Sequence, residues 1–186
     1  MGGLDPVRLR EYIDEYERRE PFARVEDDRL ATLPAAFAEG TYLWKDIEWI
    51  VRWYCRRPLD GRGAAEEAAF RENDMAAIRD AIESTLAADT IPERIHSLSR
   101  LAGVDVPIAT AMLQFMDPLR FAVITERSWN ALYDMGLVDE LFHTPVDAPR
   151  YVRYLRECTD LATEADVTVA AVERALWRIG ADTAQL

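Results

Sequence analysis

Apolar side chains recur every three or four residues along most of this chain, and no segment shows the strict alternation that predicts paired β-strands. Proline and glycine divide these periodic stretches, as they do where helices begin and end. The helices predicted from this pattern cover about residues 6–20, 27–39, 42–57, 64–88 (with a break near Asn73), 91–101, 108–116, 126–136, 149–162 and 168–179. No linker-like stretch separates them. The sequence therefore predicts one all-α domain over residues 1–186, folded as a compact multi-helix array.

The stretch from Tyr42 to Arg57 is apolar on nearly every face and is predicted to be the central buried helix. Thr41 is its predicted N-cap, and Pro58 and Gly61 are predicted to end it. Tryptophans can stack on flipped nucleic-acid bases, but on so apolar a helix they are more typical of a core. On this basis we assign to the core the three tryptophans of the stretch, Trp44, Trp49 and Trp53.

Composition narrows the class of protein. Hydrophobic residues make up 49% of the chain and charged residues 30%, which is typical of a folded globule. No apolar run approaches the 18 or so residues of a membrane span, and the first residues lack the basic and apolar regions of a signal peptide. We therefore expect a cytoplasmic protein without a membrane partner. Cys55 and Cys158 are predicted to be buried free thiols, with a redox pair as the alternative.

The charge balance is strongly acidic. The formal net charge is -12, and Lys45 is the single lysine among 22 basic residues. Acid-rich, lysine-poor chains are typical of salt-loving microbes, whose proteins stay soluble at high salt through excess carboxylates. The sequence therefore favours a halophilic protein, and the alternative is an ordinary acidic cytosolic protein. In a halophilic protein, an acidic net charge is only weak evidence against nucleic-acid binding.

Two stretches are less acidic than the rest. Residues 41–62 carry five basic and three acidic side chains, and residues 97–130 carry three of each. They are relative basic islands, although a central segment can also simply be poor in surface carboxylates. The arginines of these islands are Arg52, Arg56, Arg57, Arg62, Arg100, Arg120 and Arg127.

The most specific signal surrounds Gly103. Residues 98–113 read LSRLAGVDVPIATAML, which resembles the helix-hairpin-helix of the base-excision DNA glycosylase superfamily, roughly L-x-G-V-G-x-x-x-A-x-x-I/L. A glycine turn between two helices exposes backbone amides beside a helix N-terminus, which suits a phosphate group. The resemblance implies a DNA-glycosylase-like fold with its hairpin at about residues 90–116. It also implies DNA as a possible partner, held by Gly103, Val104 and Asp105 and, from the basic islands, by Arg56, Arg57, Arg100 and Arg127.

The resemblance extends along much of residues 44–180. Residues 118–127 read PLRFAVITER, at the place of the F-P-V-D-T-H-like stretch that brings the family's catalytic aspartate. Residues 50–57, IVRWYCRR, are similar to an I-x-x-W-K-x-x-R-like motif of uncharacterised helical proteins. Those proteins, which lack the catalytic lysine and aspartate, are the members that this chain resembles most.

Three departures from the family pattern predict that base excision is lost. The aspartate's place is taken by Thr125, or by its neighbour Glu126, and threonine can neither stabilise an oxocarbenium-like transition state by charge nor activate water as a base. No lysine stands in the second hairpin helix to form a Schiff base. Asp105 occupies the position of a glycine, where its carboxylate would repel a phosphate.

Other chemistry is weakly indicated. His96 and His143, the only histidines, lie in no spacing with carboxylates or cysteines that suggests a metal site, so we expect neither a metal nor a cofactor. Thr125 is predicted to cap the helix that follows it, with Glu126 in the first turn, where the helix dipole favours a carboxylate.

Three functions stay open at this stage. The first is a catalytically inactive glycosylase-like protein that binds DNA or a nucleotide-like ligand, which a basic face joining Arg56, Arg57, Arg100 and Arg127 would favour. The second is a protein-interaction module without nucleic acid, which an exposed apolar patch would favour. The third is a monofunctional DNA glycosylase that uses Glu126, which a closed polar pocket around Glu126 would favour.

Overall fold

The computed structural model describes residues 5–57 and 63–183, and within those ranges it contains ten α-helices and no strand. The all-α prediction is confirmed, and the helices form a compact array. The helices are α1 (Pro6–Arg19), α2 (Ala23–Glu39), α3 (Trp44–Arg56), α4 (Ala64–Phe70), α5 (Met75–Ala87), α6 (Ile91–Leu98), α7 (Val106–Met116), α8 (Glu126–Asp134), α9 (Ala148–Ala165) and α10 (Val169–Thr183).

Several helix boundaries differ from the prediction by two to four residues, the beginnings of α2 and α3 among them. Helix α2 begins at Ala23, four residues early, and its Glu26 is buried and does not face water. Helix α3 begins at Trp44, and its first turn is held by Asp46, whose carboxylate accepts a hydrogen bond from the Leu43 amide at 2.9 Å. The predicted Thr41 cap is therefore wrong. Pro58 and Gly61, the predicted end of this helix, and Arg62 lie outside the described residues.

The predicted stretch 64–88 is two helices, with the break where the sequence places it. Helix α4 ends at Phe70, and Asp74 caps α5 by accepting a hydrogen bond from the Ala77 amide at 2.8 Å. Asn73 lies between the two helices, and its side-chain amide donates to the carbonyls of Phe70 and Ala102 at 2.8 and 2.9 Å. The short helix α4 is thereby tied to the turn after α6.

The most buried helix is α7, not α3 as predicted. Every residue from Pro107 to Met116 is buried, and α7 packs against α2, α3 and α6. No charged residue occurs in α7, so all its faces can lie in the core. Helix α3 buries one face only, because Lys45 and Glu48 belong to its partly solvated side.

Helix α10 closes the array by packing against α1, α8 and α9. Gly180 permits the close approach to α8, since a Cβ at this position would overlap the Arg127 carbonyl and lie 2.6 Å from its Cγ. Cys55 and Cys158 are both buried and free, as predicted. Among the described helices none combines the length and the apolar character that crossing a bilayer requires.

Candidate ligand-binding cleft

A cleft of about 630 Å³ lies where the end of α3 meets the beginnings of α7 and α8 and the end of α10. It receives residues from all four helices and from the segment 141–144. Helix α3 and the Gly103 turn region thus face one common cleft. Because the walls come from distant parts of the sequence, only the packing of the helices assembles it.

The turn before α7 is covered on one side by α4. Gly103 has a positive φ of 73°, and a Cβ there would overlap the Glu66 carbonyl and lie 2.6 Å from the Phe70 amide nitrogen. Only glycine satisfies both the backbone conformation and this close approach. The Ala102 amide is also occupied, because it donates to Asn73 Oδ1 at 3.0 Å. The turn that the sequence predicts as a phosphate site therefore packs against an acidic helix.

Asp105 occupies the N-terminus of α7. Its carboxylate accepts a hydrogen bond from the Ile108 amide at 2.9 Å, which caps the helix. Asp105 is exposed as a whole, but desolvation of its carboxylate by the surrounding atoms, and then the nearby Glu66 carboxylate, raise the pKa of Asp105. A phosphate approaching this helix end would have to displace the carboxylate.

Thr125 and Glu126, at the beginning of α8, also line the cleft. Thr125 Oγ1 accepts a hydrogen bond from the Ser128 amide at 3.1 Å, so the predicted N-cap of α8 is confirmed. Glu126 is exposed in the first turn of α8, as predicted, and it borders the cleft. Asn130, one turn further on, accepts a hydrogen bond from the Phe142 amide at 2.9 Å and so fixes the segment 141–144 against α8.

The four arginines predicted to hold DNA do not form one face. Arg56 is exposed at the end of α3, where its guanidinium makes two hydrogen bonds to Glu67 at 2.7 and 2.8 Å. Arg100 forms an ion pair with Asp80 at the surface. Arg127 lines the cleft.

Arg57 points into the protein. Its guanidinium is buried and donates to both carboxylate oxygens of Glu173 at 2.8 and 2.9 Å, and to the Tyr16 hydroxyl at 3.0 Å. Glu26 extends this network by accepting hydrogen bonds from Tyr16 and from Trp53 Nε1. These hydrogen bonds of Arg57 therefore all go to side chains inside the protein, and the prediction that Arg57 contacts DNA is wrong.

The tryptophans of α3 belong to the core, as predicted. Trp53 is buried, and Trp49 and Trp53 both lie edge-on to Phe115 of α7, at 5.3 and 5.0 Å between ring centres. Trp44 packs beside Phe70 and donates its indole N–H to the Asn73 carbonyl at 3.1 Å. None of the three borders the cleft.

Sequence analysis did not predict several of the side chains that line the cleft. Phe142 and Asn130 form part of the wall made by the segment 141–144 and α8, and Trp177 of α10 forms another part. Glu173 and Trp177 stand four residues apart and so share one face of α10. Glu173, Arg174 and Arg178 interrupt the apolar stretch 169–179, and these charges among apolar residues were the available signal that this helix buries ion pairs.

In the part of the chain that the structure describes, no cluster of three histidine, cysteine, aspartate or glutamate side chains could hold a metal ion. His96 is exposed, and His143 is an exposed hydrogen-bond partner of Arg150. The Cys55 thiol borders the cleft, but burial and then the carboxylates of Glu67 and Glu66 raise its pKa to about 12, so it stays protonated near neutral pH.

Comparison with known proteins identifies no relative. No protein-family model, no curated protein and no solved structure matches the chain.

Proposed function

We propose that the cleft between α3, α7, α8 and α10 binds a small nucleotide-like ligand and that the protein does not excise bases from DNA. The observation that carries this proposal is the convergence of these helices on one cleft of about 630 Å³, a size typical of small-molecule sites. Apolar side chains such as Ile108 and Phe142 line it beside Asp105, Asn130 and Arg127. Such a mixture suits a heterocycle with hydrogen-bonding edges.

The charges around the cleft favour a small ligand over duplex DNA. Glu66, Asp105 and Glu126 all border it, and carboxylates repel the continuous phosphate backbone of a duplex. Arg56 and Arg100, which were expected to meet that backbone, are already paired with acidic side chains. A small ligand with at most a few negative charges can avoid these carboxylates by its orientation.

The wall near Phe142 offers stacking together with hydrogen bonding. Phe142 is half-buried, and aromatic rings bind bases of any identity through their π-faces. The Asn130 side-chain oxygen is held by the Phe142 amide, so its NH₂ group keeps donors for an acceptor on the ligand. Asp105, which also lines the cleft, offers an acceptor for an exocyclic amine.

Calorimetric titration with the four ribonucleosides tests the proposal. We expect at least one of them to bind, and we expect Phe142→Leu to weaken that binding by about fivefold, because it keeps an apolar side chain but removes about 1 kcal/mol of ring stacking. The matched control is Phe22→Leu, which changes an exposed phenylalanine away from the cleft. Absence of any nucleoside binding by the folded wild type would reject the proposal and favour the protein-interaction module.

A second candidate, a monofunctional glycosylase, rests on the position of Glu126 in the same cleft. We expect no release of uracil, 8-oxoguanine or an alkylated base from duplex DNA by the wild type. Release that Glu126→Gln abolished with folding intact would instead identify Glu126 as the catalytic carboxylate.

Schiff-base chemistry is disfavoured by the position of the single lysine. Lys45 is exposed near the start of α3, and Tyr54, nine residues further on, borders the cleft. That separation is about 14 Å along the helix axis. Borohydride trapping of the protein on an abasic duplex should therefore fail. An adduct that survived Lys45→Ala but not a blocked N-terminus would point to the terminal amine instead.

A further inference from the structure

Trp177 of α10 contacts two arginine side chains. The guanidinium carbons of Arg57 and Arg127 each lie 4.0 Å from the centre of its ring. All three residues border the cleft, and we call them the arginine subsite.

The two arginines differ in how their charge is balanced. Arg57 is neutralised by Glu173 through two hydrogen bonds. Arg127 is half-buried, and within the described ranges no hydrogen bond or ion pair joins its guanidinium to a carboxylate. Burial, and then the charges of Arg57 and Arg178, lower the pKa of Arg127. A half-buried cation without a paired anion is costly, and a bound anion would relieve that cost.

The arginine subsite also holds hydrogen-bond donors without acceptors. Arg57 Nε and Trp177 Nε1 are buried, in residues only 5% and 2% exposed, and neither has a hydrogen-bond partner among residues 5–57 and 63–183. Buried N–H groups are almost always satisfied in folded proteins, and an unmet donor costs about 1–3 kcal/mol. Two such donors beside an unpaired arginine are what an oxyanion with several acceptor oxygens would satisfy.

Two acidic side chains of the cleft belong to a different wall from Arg127. Glu66 and Asp105 come from α4 and the start of α7, and the charges of both act on the Cys55 thiol of α3. Helix α8 carries Arg127 together with two acidic side chains that line the cleft, Glu126 and Asp134. The charges that act on Arg127 are those of Glu20, Arg57, Arg178 and Glu173.

We propose that the arginine subsite binds the phosphate group of the ligand, with Arg127 as the principal contact, so that the preferred ligand is a nucleoside monophosphate and not a nucleoside. This inference rests on the proposed function. In this orientation the base lies toward Glu66 and Asp105, whose carboxylates can accept hydrogen bonds from its amino groups.

The test compares each ribonucleoside with its 5′-monophosphate by calorimetric titration at low salt. We expect the wild type to bind one monophosphate at least about tenfold more tightly than the matching nucleoside, because a charge-assisted hydrogen bond contributes that much or more. Arg127→Ala should abolish this preference by weakening monophosphate binding at least about tenfold more than nucleoside binding, and Arg127→Lys should restore part of it. The matched control, Arg156→Ala, removes an exposed arginine away from the cleft and should change neither affinity.

Trp177→Phe supplies a second variant, since it keeps a ring but removes the indole donor. It should reduce the monophosphate preference, with circular dichroism melts verifying the fold. A wild type that binds nucleosides and monophosphates equally would overturn the inference and leave the proposed function standing. A preference that persists in Arg127→Ala would place the phosphate elsewhere and also overturn it.

Titration of inorganic phosphate alone, followed by ³¹P line broadening, tests the arginine subsite without a nucleoside. Phosphate should bind to the wild type and to Arg156→Ala but not to Arg127→Ala, and acetate in parallel distinguishes a phosphate site from a carboxylate site. If no nucleoside binds but phosphate shows this dependence on Arg127, the proposed function fails and the arginine subsite stands. If neither binds, both proposals are rejected.

Discussion

The buried ion pair between Arg57 and Glu173 provides the sharpest test of how this fold is held together. It joins the end of α3 to α10 across 116 residues of sequence, and the two side chains are only 3% and 0% exposed. Both carboxylate oxygens accept from Arg57, whose remaining surroundings are the Tyr16 hydroxyl and the rings of Trp53 and Trp177. Because so little of either side chain is exposed, water compensates poorly for a lost partner.

We expect Glu173→Gln to destabilise the protein strongly. The substitution keeps the size of the side chain but leaves the Arg57 charge buried and unpaired, which costs about 3–5 kcal/mol. That is a large part of the roughly 5–15 kcal/mol that separates folded and unfolded states of a typical domain. In a chain of this length it corresponds to a fall in Tm of roughly 6–20 °C.

The double variant Arg57→Met, Glu173→Leu separates this explanation from a simple loss of contacts. Both charges are then absent, and apolar replacements of a buried pair are often neutral or stabilising, so most of the lost stability should return. Urea unfolding followed by circular dichroism gives the free energies. Glu11→Gln, in the exposed pair of Arg8 and Glu11, is the control and should leave the unfolding midpoint unchanged. Wild-type stability in Glu173→Gln, or a double variant no better than the single one, would refute this account of the pair.

Three further predictions follow from the cleft and from the charge of the chain. Thr125→Ala should lower the free energy of unfolding in urea by about 1 kcal/mol, because the α8 cap is lost, and an alanine variant of full stability would contradict the cap. Thr125→Asp should fold at least as well as the wild type and still excise no base. Burial raises the pKa of Asp105, so the folded state holds that proton more tightly than the unfolded chain does, and the wild type loses stability as pH rises through the raised pKa. Asp105→Asn should therefore gain stability over the wild type at about pH 7 but not at about pH 3.5, and identical pH profiles of the two proteins would refute this. The chain has a net charge of -12, and its negative side chains repel one another when salt does not screen them. Tm should therefore be higher in about 3 M than in about 0.1 M potassium chloride, and an equal Tm would reject the halophile inference.

Local sequence signals determined most of the helices of this protein. Asp5 with Pro6, Thr90 with Glu93 and Thr125 mark the beginnings of α1, α6 and α8, because a capping side chain bonds to an amide only two or three residues away. The break near Asn73 and the burial of both cysteines also follow from neighbouring residues. These features need no knowledge of what packs against them.

Prediction failed where a charged side chain turned inward. Glu26, beside Asp27 and Asp28, resembles part of a solvated helix face, yet its carboxylate lies in the core because Tyr16 and Trp53 donate to it. Arg57 was expected to contact DNA at the surface, but its hydrogen bonds to Glu173 hold it inside the protein. Helical periodicity shows which residues share a face, but it does not show which buried partner neutralises a charge.

Only the tertiary structure determined which side chains line the candidate site. Sequence analysis named Asp105, Glu126 and Arg127, and the packing of α7 and α8 places them around one cleft. Trp177 enters that cleft because Gly180 lets α10 approach α8, and α4 covers the turn at Gly103 because that residue lacks a side chain. These contacts join segments far apart in the chain, and their geometry depends on how whole helices pack. Local sequence therefore determines the helices, whereas long-range packing determines which of their side chains meet a ligand.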